Sequence, residues 1–319
     1  MRDYVCAPDQ DVVVSSRVRI SRNYQDLPFS PKLTREYAQE VVDRTSKAVF
    51  EGKNGAAFML VNLRDLEEDA RNRLVEHDLI SYDLLKFSQR SAAMLSAAGT
   101  VSVMMNEEDH VRFQGLLPGL QLERSAEMAL SLDEQIGDKH AYAFDSQWGF
   151  LTACPANTGT GLRACVILHL PALAKAGQMG AVMQSVAKLG LTMRGLYAAG
   201  SEAQGNLYQM TNAATLGRSE EDVVRSLAAA AEEVVTHERA MREATEKKDM
   251  LQLQDSLLRS WGEAKEAWLM STKEFMKRIS DIRYAACMGY LHLPVPALDA
   301  LRMDLQPGSL GVRAGHIIG

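Results

Sequence analysis

The chain has 319 residues, 46% of them hydrophobic and 24% charged, with a formal net charge of −6 and an isoelectric point near 5.7. This length allows two domains with a sizeable core, and the acidic balance argues against a nucleic-acid-binding protein whose surface is basic throughout. The four cysteines form neither a CxxC pair nor a zinc-ligand spacing, and the chain shows neither an uninterrupted membrane span nor an apolar signal segment, so we expect a cytoplasmic protein.

The first half of the chain mixes helical and strand-like segments. Helical periodicity of apolar residues predicts helices over residues 35–51 and 64–77. Short runs of strand-forming residues predict strands over residues 11–20, 57–62 and 100–106. Strands that are separated in sequence by helices are typical of a mixed α/β arrangement.

A continuous apolar run over residues 164–168 predicts a buried strand, with Arg163 at its mouth. The preceding segment contains Cys154, Gly159 and Gly161. Because glycine allows backbone conformations that a Cβ atom would forbid, this loop could bend around a bulky anion. A plain turn beside an inert cysteine is the alternative, since the segment lacks the Gly-Lys-Ser/Thr ending of a Walker A loop.

The second half of the chain becomes predominantly helical. Residues 173–188 are rich in alanine and methionine and predict a helix, which is followed by a loop of small residues over 195–206. Residues 219–222 resemble a helix-capping box ahead of a long apolar periodicity. The charged stretch 239–249 is either a hinge between domains or a solvated helix face.

Three charged stretches add candidate functional residues. They are SSRVR at residues 15–19, NEEDHVR at 106–112 and MRGLYAAGSEAQGNLYQMTN at 193–212. Arg17 and Arg19 share one face of a predicted strand, because side chains two residues apart point the same way. Taken singly, such stretches are usually surface salt bridges or solvated loops.

Together, these stretches resemble the guanidino-kinase (phosphagen kinase) superfamily, and most closely its bacterial protein-arginine kinase branch. LISYDLL, GLQLE, AFDSQWGFLTACPANTGTGLRA and LGRSEEDVV also occur in the expected order. The resemblance implies an α+β fold of the glutamine synthetase/guanidino kinase type, an antiparallel sheet flanked by helices, with a catalytic domain over residues 1–245 and a helical C-terminal domain over 246–319. Only fourteen residues precede SSRVR, where phosphagen kinases carry a helical domain, and this shortening matches the protein-arginine branch.

The resemblance also implies ATP and Mg²⁺ as cofactors, with the metal held mainly by the nucleotide and no metal ligands from the protein. Phosphoryl transfer requires the charge of the triphosphate to be neutralised, and the planar guanidinium binds phosphate oxygens in pairs. The family's phosphate-binding arginines correspond to Arg17, Arg19, Arg112, Arg163 and Arg194.

The acceptor side of the site is implied by the same resemblance. A guanidinium with a pKa of about 12.5 or more has no free lone pair at neutral pH, so a base must orient it and take a proton. That role corresponds to Glu108, with Cys154 as a thiolate beside the guanidinium. A second carboxylate of the family's mobile loop is replaced by Ala199, and Glu202 in the same loop is a candidate substitute. We find no match in this sequence to the phosphoarginine-binding element that the resemblance places near the C-terminus, so we do not expect phosphoarginine binding there.

We therefore expect an ATP-dependent kinase that phosphorylates arginine side chains in proteins, with weak activity because Ala199 removes one carboxylate. A non-catalytic pseudokinase or adaptor is the alternative, and a kinase for a small guanidino compound is disfavoured. Expected partners are proteins with exposed arginine and, by resemblance to stress-response relatives, a Clp-type chaperone-protease and an activator protein, without membrane or direct nucleic-acid binding. A homodimer through C-terminal helices is also expected, by the resemblance and from apolar positions at helical spacing: Leu251, Leu258, Trp261, Trp268 and Phe275. The alternative is that these residues close the core within the chain.

Overall fold

The structure is a computed structural model that describes residues 6–196 and 203–318. Its described residues form ten strands. They are β1 (Val13–Arg22), β2 (Phe58–Asn62), β3 (Ala92–Ser96), β4 (Val101–Met105), β5 (Val111–Pro118), β6 (Phe144–Asp145), β7 (Gly149–Phe150), β8 (Leu162–His169), β9 (Leu191–Gly195) and β10 (Leu207–Asn212).

Eight of these strands form one sheet in the order β2-β3-β4-β5-β1-β8-β10-β9, and β6 pairs with β7 in a separate hairpin. Every neighbouring pair in both sheets is antiparallel. The predicted antiparallel sheet is therefore confirmed.

Helices flank the sheet and make up most of the C-terminal region. Over the part of the chain that the structure describes, none of them is long and apolar enough to cross a membrane. They are α1 (Arg35–Phe50), α2 (Glu68–Glu76), α3 (Tyr82–Leu85), α4 (Leu122–Gly137), α5 (Pro171–Lys175), α6 (Met179–Lys188), α7 (Glu220–Lys248), α8 (Met250–Glu266), α9 (Thr272–Cys287), α10 (Val295–Asp304) and α11 (Pro307–Ile318).

The predicted elements match the structure except at two places. The helix predicted over 173–188 is broken into α5 and α6, because Gly177 adopts a positive φ of 69° that ends the first helix. The helix predicted from residue 64 begins only at Glu68, after a short 3-10 turn. The predicted cap of α7 is confirmed, since the Ser219 hydroxyl accepts a hydrogen bond from the Asp222 amide.

The main core lies on one face of the sheet. Alternation along β1 directs Val18 and Ile20 to this face, where both are fully buried against the apolar sides of α1, α4 and α7. The same alternation directs Arg17 and Arg19 to the opposite face. One strand pattern thus builds the core and sets charged residues on the other side of the sheet.

On the opposite face, the described residues form two smaller apolar clusters. C-terminal helices pack Met276 and Ile279 of α9 on Cys165 and Ile167, which explains why β8 is apolar on both faces. Near α2 and α3, a second apolar cluster covers β3 and β4 and includes Met104. Arg112 lies opposite Met104, and Arg17 lies opposite Cys165, so charged residues occupy the space between the two patches.

The C-terminal helices are firmly joined to the rest of the fold. Helix α7 continues without a break to Lys248, so residues 239–248 are helical and do not form a hinge, and Asp249 separates α7 from α8. The surface of this stretch is only partly solvated, since Arg242 is buried. Of the apolar residues proposed for a dimer, Trp261 and Phe275 pack within the chain and Leu258 is half-buried, whereas Leu251 and Trp268 are exposed.

Candidate active site

Strand register brings three of the predicted arginines together on one face of the sheet. In an antiparallel pair, residues directly opposite each other point to the same face. Arg19 lies opposite Arg163 of β8, and Arg17 lies opposite Cys165. On its other side, Arg19 lies opposite Gln114 of β5. The center of the open face is therefore lined by arginines from β1 and β8.

Two more arginines reach the same face from strands farther out. Arg112 of β5 lies opposite Ser21, which shares the face of Arg19 in β1. Arg194 of β9 lies opposite Gln209 of β10, which in turn pairs with Ile167 of β8. The sheet thus places all five predicted arginines on one face, although they are up to 177 residues apart in sequence, counted from position 17 to 194.

The two arginines of β1 differ in their partners. Arg17 donates from Nη1 to the Asp78 carboxylate at 2.8 Å. Arg19 donates from Nε to the neutral Gln114 side chain at 2.7 Å. Burial, followed by repulsion from Arg17 and Arg112, lowers the pKa of Arg19 to about 9. An anion placed beside Arg19 would offset both effects, because a nearby negative charge favours the charged form of the guanidinium.

Arg112 is held by acidic side chains of the loop between β4 and β5. Its Nη1 contacts Glu107, its Nη2 lies 3.6 Å from Glu108, and its Nε donates to the Ser21 hydroxyl at 3.3 Å. The Glu107 carboxylate also accepts a hydrogen bond from Ser81. Arg112 is therefore fixed on its buried side, and its link to Glu108 lies at the surface.

Within the loop, Glu108 is the accessible member of an otherwise buried acidic motif. The Glu108 side chain is 45% exposed, whereas that of Glu107 is 1% exposed. Asp109 and His110 are buried as well. The His110 ring accepts a hydrogen bond from the Tyr24 amide at 3.0 Å, and burial lowers its pKa. The anchored neighbours hold the loop in place and leave Glu108 free to meet a ligand.

Asp109 joins this loop to the turn that carries Cys154. Its Oδ1 accepts a hydrogen bond from the Ala153 amide at 2.7 Å and another from Asn23 Nδ2 at 2.7 Å. Ala153 precedes Cys154, and Asp109 follows Glu108. Glu108 and Cys154 are therefore each next to a residue of the same partly buried hydrogen bond, the one between Asp109 and the Ala153 amide.

The turn after Cys154 is braced by Arg163. The guanidinium donates to the Asn157 side chain at 3.2 Å and to the Ala156 carbonyl at 2.9 Å, and it reaches the Asn212 carbonyl at 2.9 Å. Arg163 and Cys154 therefore belong to one local unit, and Arg163 holds its shape. These contacts also orient the guanidinium at the edge of the arginine-lined face.

The glycines of this segment serve a different purpose from the one considered in the sequence. Gly159 and Gly161 have φ of 113° and 68°. A Cβ atom would lie 2.5 Å from the Thr215 carbonyl oxygen at Gly159 and 2.6 Å from that of Ser21 at Gly161. The glycines are needed for close backbone packing, so the interpretation that they bend the loop around an anion is not required.

The outer side of the site is described only in part. Arg194 is exposed near the end of β9, at the edge of the sheet. Ala199 and Glu202 lie outside the described residues. Within the described ranges, no group of three or more His, Cys, Asp or Glu side chains could hold a metal ion.

This arrangement can bind a polyanion and handle a proton next to it. Several guanidinium groups face the same space, and within the described residues Arg17 and Arg112 are the two of the five that form ion pairs with carboxylates. Forked guanidinium donors match the oxygens of phosphate groups. Next to the arginines, the accessible Glu108 carboxylate and the half-buried Cys154 thiol leave room for a second ligand. The face therefore suits a reaction between a bound polyanion and that second ligand.

Sequence comparison decides the family. Residues 40–241 match the sequence model for the C-terminal catalytic domain of ATP:guanido phosphotransferases. The chain belongs to the ATP:guanido phosphotransferase family. Residues 250–318 match a second model, the C-terminal domain of protein-arginine kinase McsB.

Within the family, the chain is similar over most of its length to proteins named protein-arginine kinase. It is 40% identical to the one from Caldanaerobacter subterraneus subsp. tengcongensis, over 95% of this chain and 90% of the relative. It is also 40% identical to the one from Geobacillus stearothermophilus, over 98% of this chain and 86% of the relative. It is 41% identical to the one from Desulforamulus reducens, over 89% of this chain and 80% of the relative. The chain therefore belongs to the protein-arginine kinase branch of the ATP:guanido phosphotransferases.

Solved structures confirm the guanidino kinase fold. Lombricine kinase matches with a TM-score of 0.64 and 25% identity, over 76% of this chain and 70% of that one. A second match is the duplicated taurocyamine kinase from Schistosoma mansoni, solved with bound components of a transition-state analogue. Its TM-score is 0.64 and its identity 24%, over 73% of this chain and 34% of that one.

The sequence interpretation missed the acidic residues that hold parts of the site in place. Glu107, which contacts Arg112, and Asp109, which accepts from the Ala153 amide, both stand in the NEEDHVR motif. Their position beside Glu108 was an available signal, because a buried loop needs internal partners for its carboxylates. Asp78 had no such signal. It follows α2 with a positive φ of 57°, and only the folded structure brings it to Arg17.

Proposed function

We propose that this protein transfers the γ-phosphoryl group of MgATP to arginine side chains of other proteins. The observation that carries the proposal is the grouping of five arginines on one sheet face, with the exposed carboxylate of Glu108 beside Arg112. Membership of the family supports ATP as the donor, and 40% identity to proteins named protein-arginine kinase supports protein arginine as the acceptor.

On the donor side, the arginines would hold the triphosphate. Phosphoryl transfer depends mainly on positioning and on neutralising the charge of the transferred group. Arg19 fits this role because, among the described residues, its hydrogen-bond partner is the neutral Gln114 side chain and not a carboxylate. Arg112 and Arg163 fit because contacts at their bases orient them in advance. Mg²⁺, bound mainly by the nucleotide, would offset part of the remaining phosphate charge.

On the acceptor side, Glu108 would orient the substrate guanidinium and remove one proton from it. The nitrogen then forms a bond to the γ-phosphorus while the bond from that phosphorus to the bridging oxygen breaks. ADP leaves with the electron pair, and Glu108 later releases the proton to solvent. Cys154, as a thiolate, would face the same guanidinium, with its distance from Glu108 fixed through Asp109 and Ala153.

A slow rate is part of the proposal. A guanidinium is best fixed by two carboxylates, and the position of the second one in the family is occupied by Ala199. Loss of a proton-handling group typically lowers a rate on the order of a hundredfold or more. The same substitution favours the second candidate function, a pseudokinase or adaptor that binds nucleotide or a partner without transferring phosphate.

Incubation with ATP, Mg²⁺ and an arginine-rich protein tests both candidates, with acid-labile protein phosphate as the readout. We expect slow transfer by the unmodified protein. Glu108→Gln should lower the rate by roughly 10²- to 10⁴-fold, because the amide cannot accept the proton. Ala199→Glu should raise it. Glu127→Gln is the control, since this exposed residue lies on α4, across the sheet from the arginines.

The pseudokinase predicts a different outcome. The unmodified chain would then transfer no phosphate at any protein concentration, and neither Ala199→Glu nor Glu108→Gln would change that result. A readily active protein that Ala199→Glu does not accelerate would contradict the role given to the missing carboxylate and direct attention to Glu202.

We also propose the domain division at residues 1–245 and 246–319, which is supported by the matches of two family models on either side of it. A Clp-type chaperone-protease, an activator protein and a cytoplasmic, stress-related role remain proposals based on the family. So does a homodimer, for which Leu251 and Trp268 are the residues of the predicted set that stay exposed. Light scattering tests the dimer, which should have twice the 35.2 kDa mass of one chain.

A further inference from the structure

A row of aromatic rings runs from the core to the surface beside the candidate acceptor site. It begins at Tyr24, which is fully buried, and passes to Tyr142 with ring centroids 6.0 Å apart. Tyr142 contacts Phe150 at 6.1 Å, and Phe150 contacts Phe144 at 5.2 Å, both edge to face. Phe144 ends the row and is 60% exposed. A large apolar ring is therefore held at the surface by packing beneath it.

The base of the row is fixed by Arg22. Its guanidinium lies 3.5 Å from the centroid of the Phe150 ring and forms an ion pair with Asp133 at 2.6 Å. It also donates to the Thr160 carbonyl at 2.7 Å. A cation held over an aromatic face adds to the stability of the ring position. The row therefore has little freedom to fold its outer ring back into the protein.

A second exposed aromatic residue comes from the turn of the same hairpin. The Asp145 carboxylate accepts hydrogen bonds from the amides of Gln147 at 2.8 Å and Trp148 at 3.0 Å, which closes the turn between β6 and β7. The Trp148 side chain is 49% exposed. The short hairpin thus presents two large rings, Phe144 and Trp148, which we call the aromatic hairpin surface.

This surface is continuous with the loop that carries Cys154. Phe150 and Gly159 exchange two backbone hydrogen bonds, at 2.8 and 3.2 Å, so the hairpin is joined to both ends of the segment around Cys154. Leu151 also donates to the Ala143 carbonyl at 2.9 Å. Cys154 lies four positions after Phe150, a span of roughly 13 Å at most for extended chain. A peptide with its arginine at Cys154 could therefore reach the hairpin within a few residues.

We propose that the aromatic hairpin surface binds apolar side chains of the protein substrate, a few positions from the arginine that is phosphorylated. The inference rests on the proposed function, and it adds a preference among arginines. Aromatic residues that are rigid and exposed are the usual anchors of protein interfaces. The preferred substrate would be an extended segment with an apolar residue within about four positions of the arginine, because extended chain rises about 3.3 Å per residue.

The occupant is a substrate segment and not a second copy of this chain for a structural reason. The surface adjoins the loop that contributes to the reaction, so a permanent partner there would obstruct the acceptor. Trp268, in contrast, is 99% exposed between α8 and α9 in the C-terminal region, and no described contact joins it to the candidate active site. It provides a matched exposed tryptophan outside the proposed surface.

Two peptides test the proposal. Both carry a single arginine, and one has leucine and phenylalanine three residues to either side of it where the other has serine. For the unmodified protein we expect the apolar peptide to have a lower KM by about tenfold, with similar kcat and the same KM for MgATP. The double variant Phe144→Ser/Trp148→Ser should lose this preference. Trp268→Ser should retain it, and thermal unfolding should confirm that all variants are folded.

Binding without turnover separates this inference from the proposed function. Fluorescence anisotropy of the labelled peptides, with no nucleotide present, should show the same preference and its loss in the double variant. If the preference appears in binding but no phosphate is transferred, the docking surface stands and the kinase proposal fails. Equal binding of both peptides to the unmodified protein, or an unchanged preference in the double variant, would overturn the docking surface while leaving the kinase intact.

Discussion

Two groups of arginines in this protein differ in their surroundings: one group is buried and paired within the fold, and the other lines one face of the sheet. Arg283 joins α9 to the rest of the fold, and its guanidinium contacts Asp299 at 2.7 Å, the Gln10 carbonyl at 2.6 Å and the His169 ring at 3.1 Å. On the open face of the sheet, by contrast, the Arg19 guanidinium has Gln114 as its hydrogen-bond partner.

The difference lies in where the counter-charge comes from. Arg242 resembles Arg283, because it is buried and paired with the fully buried Glu238 at 2.9 Å. Such a group is satisfied by the fold, and its removal leaves other buried polar atoms without partners. Arg19 is left with an unfavourable environment that the fold does not correct. The same residue type therefore supports stability in one place and ligand binding in the other, depending on the carboxylates around it.

The largest effect on stability is expected for Arg283→Met. The variant leaves Asp299 buried without its cation and removes the hydrogen bonds to the Gln10 and Asp11 carbonyls. Breaking a buried ion pair by removing one partner typically costs about 3–5 kcal/mol of the free energy of unfolding. Urea unfolding, followed by circular dichroism, measures this change.

A matched control is Arg259→Met on α8. Arg259 pairs with Asp255 one turn away, at 2.7 Å, and both side chains are exposed. We expect no measurable change in the unfolding midpoint, since exposed pairs contribute little. If Arg283→Met were as stable as this control, the buried network would not hold the C-terminal helices to the sheet.

The opposite pattern is expected for Arg19→Gln. Burial and the like charges of Arg17 and Arg112 lower the pKa of Arg19, so the folded protein disfavours its charged form. Removing the charge should leave the thermal midpoint unchanged or raise it. Affinity for MgATP should fall by roughly ten- to a hundredfold, because hydrogen bonds to charged groups contribute about 1.5–3 kcal/mol. Calorimetric titration with MgATP measures the loss, and a destabilised variant with normal affinity would reverse the assignment.

The sequence predicted the shared face of Arg17 and Arg19 because side-chain direction in a strand depends only on spacing. It also predicted the buried strand that became β8, since a run of apolar residues needs no knowledge of its partners. The resemblance extended this result to Arg112, Arg163 and Arg194, and the register of the sheet puts all of them on that face. Their phosphate-binding role stays a prediction.

The partners of these arginines could not be predicted. Asp78 is 61 residues from Arg17, and Arg283 reaches the Gln10 carbonyl across 273 residues. Such contacts depend on how α2 and α9 pack on the sheet, which local spacing does not encode. The break between α5 and α6 was missed for a related reason, because the alanine-rich composition around Gly177 favours helix on both sides of it.

The smallest effects on stability and on MgATP binding are expected at the pair of Arg17 and Asp78. Arg17 belongs to the arginine face but, like Arg283, it has a carboxylate partner within the fold. The Asp78 side chain is 30% exposed, so the pair should contribute no more than about 1 kcal/mol to stability. Asp78→Asn keeps the size of the side chain and a hydrogen-bond acceptor, and asparagine tolerates the positive φ of 57° at this position. Because the substitution removes a negative charge beside the arginine face, MgATP should bind a few-fold more tightly at low salt, with less gain at high salt.

Titrations of the Asp78→Asn variant with MgATP at two salt concentrations measure this change. Weaker binding at both would mean that Asp78 orients Arg17 for the nucleotide and does not compete with it.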